Sequence, residues 1–300
     1  MTISTHTVGA GADLITYDVR GDLATGTPLV AFGSPMDAGG FVTLAGLVTD
    51  RPFVTYDPRG AGRNPVGSGP LTPDDHAGDL ARVIEALGVG PVDCFGTSGG
   101  AVNLLRLAET RPELVRAVVA HEPPTVALLP DRGPALAALA DITTTYAAAG
   151  HGPAMARFVA LVMHSGEVSD DYLRRPAPDP ARFAMSAEDD GSRTDPLMRN
   201  MPAGNRYEPD VAALRRLGER LTIAVGVGSG EELAARGARS VAAAIGMPVT
   251  DFPSHHAGFL GGEHGQSGEP EAFAARLREV LGRRVSPRPA AGAARTRPGR

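Results

Sequence analysis

Val92 to Gly100 reads V-D-C-F-G-T-S-G-G, a sequence that constrains the architecture of the whole chain. An apolar, strand-like run meets a Gly-x-Ser-x-Gly pentapeptide centred on Ser98, and a helical pattern from Ala101 to Glu109 follows at once. A strand that passes directly into a helix through such a pentapeptide holds its serine in a strained turn, with the Oγ raised above a sheet. Gly96 and Gly100 suit that turn because they leave room for backbones to pass close by. The competing reading is a glycine-rich loop with an ordinary serine, and the flanking strand and helix argue against it. Ser98 is therefore the candidate nucleophile.

Outward from this point, short β-rich runs alternate with helical patterns, the signature of a mostly parallel sheet covered on both faces. Strands are expected at Ile3 to Val8, Leu14 to Val19, Pro28 to Phe32, Pro52 to Tyr56, Val92 to Phe95, Val115 to Ala120, Leu221 to Val225 and Pro248 to Phe252. Helical spacing recurs in Ala77, Leu80, Ala81, Ile84 and Leu87, in Val102, Leu105, Leu107 and Ala108, and again at Leu233 to Ile245 and Phe273 to Leu281. Gly9 and Gly11 join the first two strands, so that end of the sheet is expected to be antiparallel. The fold class is α/β, with eight strands flanked by helices.

From Pro123 to about Arg216 the alternation fails: no strand is evident, and Pro, Gly and scattered apolar residues such as Phe158, Met163 and Met201 take over. The expected organisation is a core at 1–122 and 217–282, with a mainly helical cap at 123–216 inserted after the sixth strand. The apolar residues of the cap either fill its own core or line an apolar pocket. Residues 283–300, rich in Arg, Pro, Ala and Gly, cannot build a core and are expected to be a disordered basic tail.

Apolar residues make up 42% and charged residues 21% of the 300, as in a soluble globular protein. No run approaches the roughly 18 apolar residues of a membrane span, and residues 1–20 lack the pattern of a signal peptide, so a cytoplasmic location is expected. A single cysteine, Cys94, excludes an internal disulfide and reads as a buried strand residue. Net charge is -5, but six of the 29 basic residues and none of the 34 acidic ones follow Gly282, which leaves the rest at -11. So acidic a body is a poor nucleic-acid binder, and a small-molecule substrate is the expected partner, the chain being a monomer or homodimer.

A serine hydroxyl needs a base, an acid that orients the base, and donors for the developing oxyanion. F-P-S-H-H-A-G-F, Phe252 to Phe259, follows the last expected strand and offers His255 and His256. Adjacent side chains diverge, so one of the two faces Ser98; His256 is taken as the base and His255 as its alternative. The other six histidines read as surface or loop residues. None forms a metal-binding spacing, and no metal or cofactor is expected.

Taken together, five motifs resemble the α/β-hydrolase fold superfamily, in its capped bacterial serine hydrolase and haloperoxidase-like form, over roughly residues 10 to 282. They are F-G-S-P-M-D from Phe32, Y-D-P-R-G-A-G-R from Tyr56, G-T-S-G-G from Gly96, H-E-P-P from His121, and the segment from Phe252. The resemblance implies a serine hydrolase that forms an acyl-enzyme with a small, largely apolar ester, thioester, lactone or related carbonyl compound. It carries the base to His256, with His255 in a position where relatives have glycine. It carries the oxyanion donors to the amides of Gly99 and Ser34, with Phe32 where relatives have a histidine. Asp57, Arg59 and Gly60 match a turn that is structural in the family.

The acid is open to two readings. Many relatives place an aspartate after the seventh strand, but the loop here is G-V-G-S-G-E-E, without one. Its Glu231 and Glu232 are alternative acids that equally suit the first turn of a helix. Other relatives, the haloalkane dehalogenases among them, use a carboxylate at the end of the sixth strand, and Glu122 stands there. Glu122 is taken as the acid, its other reading being a residue that only supports the Pro123-Pro124 turn. Two other functions fit parts of the same sequence. A lyase, cyclase or small-molecule binder would use the same pocket without hydrolysis. A nucleotide-binding unit at Leu221 to Phe252 lacks the third fingerprint glycine, because Glu231 holds its place.

Overall fold

Strands β1 (Ile3–Val8), β2 (Ile15–Arg20), β3 (Leu29–Phe32), β4 (Phe53–Tyr56), β5 (Val92–Thr97), β6 (Val115–His121), β7 (Leu221–Gly226) and β8 (Thr250–Phe252) form one sheet in the order β1-β2-β4-β3-β5-β6-β7-β8. The structure is a computed structural model that describes residues 2–65, 67 and 71–282, so the expected basic tail at 283–300 lies outside the described residues. Every strand lies within two residues of its expected bounds. β1 pairs with β2, and β2 with β4, antiparallel; the remaining neighbours are parallel, as the glycine link at the first hairpin foretold.

Alternation along the strands separates two layers. Val30, Val54, Cys94, Val118 and Ile223 face one way, toward α2 (Pro73–Leu87), α3 (Gly99–Thr110), α7 (Val211–Leu217) and α8 (Leu233–Ile245). Ala31, Phe53, Phe95, Val119 and Ala224 face the other way, toward α1 (Val42–Leu47) and α9 (Pro270–Gly282). The central strands are buried on both faces, which is why they read as continuous apolar runs. Cys94 is among them, fully buried in β5, and burial pushes its thiol up. Thr72 and Asp75 form a capping box at the start of α2, with Pro73 at its first position, and Gly88 closes it in a left-handed conformation at φ 68°.

Between β6 and β7 the chain builds α4 (Arg132–Ala149), α5 (His151–Val162) and α6 (Pro196–Gly204) around a separate apolar cluster that includes Leu139, Ile142, Tyr146, Leu161 and Met198. Leu233 of α8 joins this cluster from the main body. Helix α7, although it begins within the expected cap at 123–216, packs with α3 and α8, because Leu214 and Leu217 face the sheet layer. Asp131, just ahead of α4, pairs with Arg236 of α8, and both are nearly buried. The same carboxylate accepts the amide of Val168 at 2.6 Å, and Arg236 donates to the carbonyl of Gly166 at 2.7 Å. A buried ion pair thus ties the start of the helical insertion, and the segment just after α5, to one core helix. Among the described residues no helix is long and apolar enough to cross a membrane.

Candidate active site

Ser98 sits between β5 and α3 with φ 55° and ψ -129°, a conformation that costs a non-glycine residue about 1–3 kcal/mol. The surroundings enforce it. The Ser98 amide donates to the His121 carbonyl of β6 at 3.0 Å, while the Ser98 carbonyl accepts from Ala101 at 2.9 Å as α3 begins. A Cβ on Gly96 would lie 2.8 Å from the Gly100 carbonyl oxygen, and one on Gly100 would lie 2.6 Å from that of Phe32. Those approaches explain both glycines of the pentapeptide: β3, β5 and α3 are too close together for any side chain.

Gly99 opens α3, so its amide has no acceptor within the helix. A Cβ there would stand 2.5 Å from the Ser34 carbonyl oxygen, so the loop after β3 is pressed against the turn. Ser34, Ser98 and Gly99 line one cavity. Phe32 is fully buried, its ring 5.6 Å from that of Tyr56, and contributes packing instead of a hydrogen bond to the loop. Asp57 braces the loop in its stead. One carboxylate oxygen accepts the Ala38 amide at 2.9 Å, and the other accepts the Arg63 amide at 2.9 Å and its Nε at 2.6 Å. Arg59 is spent on ion pairs with Asp79 and Asp13.

Glu122 follows β6 with φ 48°, its amide donating to the Ala224 carbonyl at 2.9 Å. The side chain is completely buried, and each oxygen has a partner. Oε1 accepts the Gly226 amide at 2.8 Å, and Oε2 lies 2.6 Å from His256 Nδ1. Burial opposes the charge, but the hydrogen bond to His256 and the nearby imidazoles outweigh it and hold the carboxyl down at about 2. An ionised acceptor on Nδ1 fixes the proton there and leaves Nε2 of His256 as the free acceptor. His256 is half-buried and lines the same cavity as Ser98.

The alternatives make none of these contacts. His255 is exposed at the rim, with its Nδ1 accepting the Ala257 amide at 3.1 Å. Glu231 is exposed and pairs with Arg239 at 3.3 Å. Glu232 lines the cavity, and burial together with the charge of Glu122 raises its pKa.

Two histidines expected at the surface or in loops are instead inside, a correction to the sequence reading. His121 is fully buried among Phe95, Phe252 and Phe273. Its Nδ1 is 3.1 Å from Thr97 Oγ1, and its ring stacks on His256 at 6.1 Å. Burial lowers its pKa to about 4, so it is neutral near pH 7. His76, 2% exposed, belongs to the inward stripe of α2 with Leu80 and Ile84. The signals were present in both cases: His121 ends the unbroken run V-R-A-V-V-A-H, and His76 stands four residues before Leu80.

Ser98, His256 and Glu122 all lie at the carboxyl ends of parallel strands, beneath the insertion, where open α/β sheets form their binding crevices. The cavity there encloses about 920 Å³, and the insertion lines it with Leu139, Phe158, Val162 and Met201. Among the described residues no cluster of three or more His, Cys, Asp or Glu side chains is placed to hold a metal ion.

Residues 34–211 match the family model described as alpha/beta hydrolase fold. Over 106 residues the chain is 34% identical to "Putative carbamate hydrolase RutD" of Caulobacter segnis, an alignment that takes in 34% of this chain and 40% of that protein. It is 33% identical over 132 residues to "Uncharacterized hydrolase YraK" of Bacillus subtilis, covering 43% of this chain and 48% of the relative. The aligned part thus spans less than half the length of either curated relative. A thermophilic esterase from Thermogutta terrifontis superposes with a TM-score of 0.66 at 17% identity, covering 95% of this chain and all of that one.

Proposed function

Since the chain belongs to the α/β-hydrolase fold family, we propose that it is a serine hydrolase that cleaves a small, largely apolar ester, thioester, lactone or carbamate through an acyl-enzyme. The observation that carries this reading is the buried Glu122 carboxylate 2.6 Å from His256 Nδ1, on the cavity that Ser98 also lines. In the reaction, His256 Nε2 takes the proton of Ser98 Oγ as the oxygen attacks the substrate carbonyl. Glu122 stays ionised and stabilises the imidazolium that results. The amides of Gly99 and Ser34 receive the oxyanion, and His256 then passes its proton to the leaving group. Water repeats the sequence to free the acid. The insertion acts as the cap, and its apolar lining supports a hydrocarbon portion of the substrate. Carbamate enters this list from the name of one relative, as another carbonyl group open to the same attack.

Labelling with a fluorophosphonate followed by peptide mapping tests the proposal, with modification expected on Ser98 alone. Ser98→Ala is expected to abolish labelling and to lower ester hydrolysis by several orders of magnitude, while the circular dichroism spectrum is unchanged. A chain that resists labelling yet binds an apolar ligand in the cavity would instead be a non-hydrolytic member of the family.

A further inference from the structure

One wall of the cavity is polar where its surroundings are apolar. It is formed by His76 of α2, Asn103 of α3 and Asn200 of α6. His76 and Asn103 are 2% and 4% exposed, so both are interior side chains that nevertheless line the cavity. His76 Nε2 lies 3.1 Å from Asn200 Oδ1, a contact that joins the main body to the insertion. With the amide oxygen accepting, Nε2 carries the proton. That leaves His76 Nδ1 as an acceptor and the Asn200 amide nitrogen as a donor, both buried and without a partner among the described residues. Leaving such groups unpaired inside a protein is costly, and a ligand that pairs with them removes the cost. Asn103 adds a second amide four residues beyond Gly99, roughly 6 Å along the helix axis.

Charge narrows the ligand further. The described residues that line the cavity include Asp37, Asp195 and Glu232 and no Arg or Lys. Burial also disfavours the cationic form of His76. An anion would enter without a counter-charge and would face three carboxylates.

We propose that His76, Asn103 and Asn200 form a recognition subsite for a neutral group that both donates and accepts a hydrogen bond, an amide being the best fit, on the part of the substrate remote from the scissile carbonyl. The proposal rests on the serine hydrolase reading and narrows its substrate to neutral acyl compounds that carry such a group. The ligand's N–H is received by His76 Nδ1 and its carbonyl by the Asn200 and Asn103 amides, while the chain between the two ends lies along the apolar wall.

Three p-nitrophenyl esters with acyl chains of equal length test this, ending in a methyl, a primary amide or a carboxylate. The amide-tipped ester is expected to show kcat/KM about tenfold above the methyl-tipped one, and the carboxylate-tipped ester to fall below both. Asn103→Leu and His76→Phe are each expected to bring the amide-to-methyl ratio down to about one, mainly through KM. Should His76→Phe fail to fold, Asn103→Leu carries the comparison. A wild-type ratio of one or less, or a ratio that survives Asn103→Leu, overturns the subsite. Failure of the hydrolase reading looks different: no fluorophosphonate label on Ser98 and no ester cleaved. Calorimetry with hexanamide and hexanoate then decides the subsite by itself, tighter binding of the amide supporting it and equal or weaker binding overturning it.

Discussion

Glu122 carries a buried charge whose partners come from two directions, the Gly226 amide of β7 and the imidazole of His256. Glu122→Gln keeps the shape and loses the charge, so kcat/KM for an ester is expected to fall by about two to four orders of magnitude. Glu231→Gln and Glu232→Gln are expected to leave it close to wild type, since a helix-end charge contributes only ~0.3–1 kcal/mol, and that to stability rather than to rate. Steady-state kinetics on the three variants checks this, and a larger loss at Glu232 than at Glu122 would reverse the assignment. His256→Ala is expected to approach the loss of Ser98→Ala, and His255→Ala to remain close to wild type. Ser98 and Glu122 could be placed from the sequence because each follows a strand directly, and His256 because it lies four residues beyond β8, at the edge where side chains of distant segments meet. His76 and His121 were misread because histidine suits surface and core alike, so the strand run and helical spacing that hold them were outweighed by residue type, and their neighbours complete the burial. For His121 those neighbours, Phe252 and Phe273, come from more than a hundred residues away.

The helical insertion is held to α8 by Asp131 and Arg236, so its attachment rests on charge as well as on the apolar contact of Leu233. Removing one partner strands the other in a place without water. Asp131→Asn or Arg236→Met is therefore expected to cost about 3–5 kcal/mol, read from denaturant unfolding followed by circular dichroism. Replacing both by apolar residues is expected to recover much of that loss. A double variant no more stable than either single one would mean that the pair contributes more than mutual neutralisation. At this scale the strands were the most legible part, since burial on both faces leaves continuous apolar runs between turn residues. The end of the insertion was not. Val211–Leu217 looks like one more amphipathic helix, and nothing in its own spacing says that Leu214 and Leu217 pack toward α3 and α8, or that the Tyr207 hydroxyl ahead of it donates to Glu109 of α3.

For the molecule as a whole, three interior groups respond to acid in the same direction. His121 titrates at about 4 when folded, against ~6.5 in an unfolded chain, so its contribution is fully present above pH 6.5 and is lost as pH falls toward 4, by about 3 kcal/mol. His76 is lowered as well, and Glu122, held at about 2, adds a loss below ~4.3. The thermal midpoint is thus expected to decline steadily from pH 6.5 downward. His121→Phe, which suits the surrounding phenylalanines, is expected to flatten the profile between pH 6.5 and 4. Calorimetry at a series of pH values checks it, and parallel profiles for the two proteins would remove His121 as the cause. The sheet and its antiparallel first pair followed from the alternation of strands and helices and from the glycines between β1 and β2. The cavity did not, because its walls are assembled from segments far apart in the chain. Glu122 is anchored by β6 and β7, while Val227 and Glu231 in the loop beyond β7 are open to solvent and make no hydrogen bond to Glu122 or His256. Combinatorial libraries can therefore randomise those two positions around a fixed Gly230, whose φ of 51° favours glycine, with the charged pair left intact, which marks the loop as the place to graft new selectivity onto this scaffold.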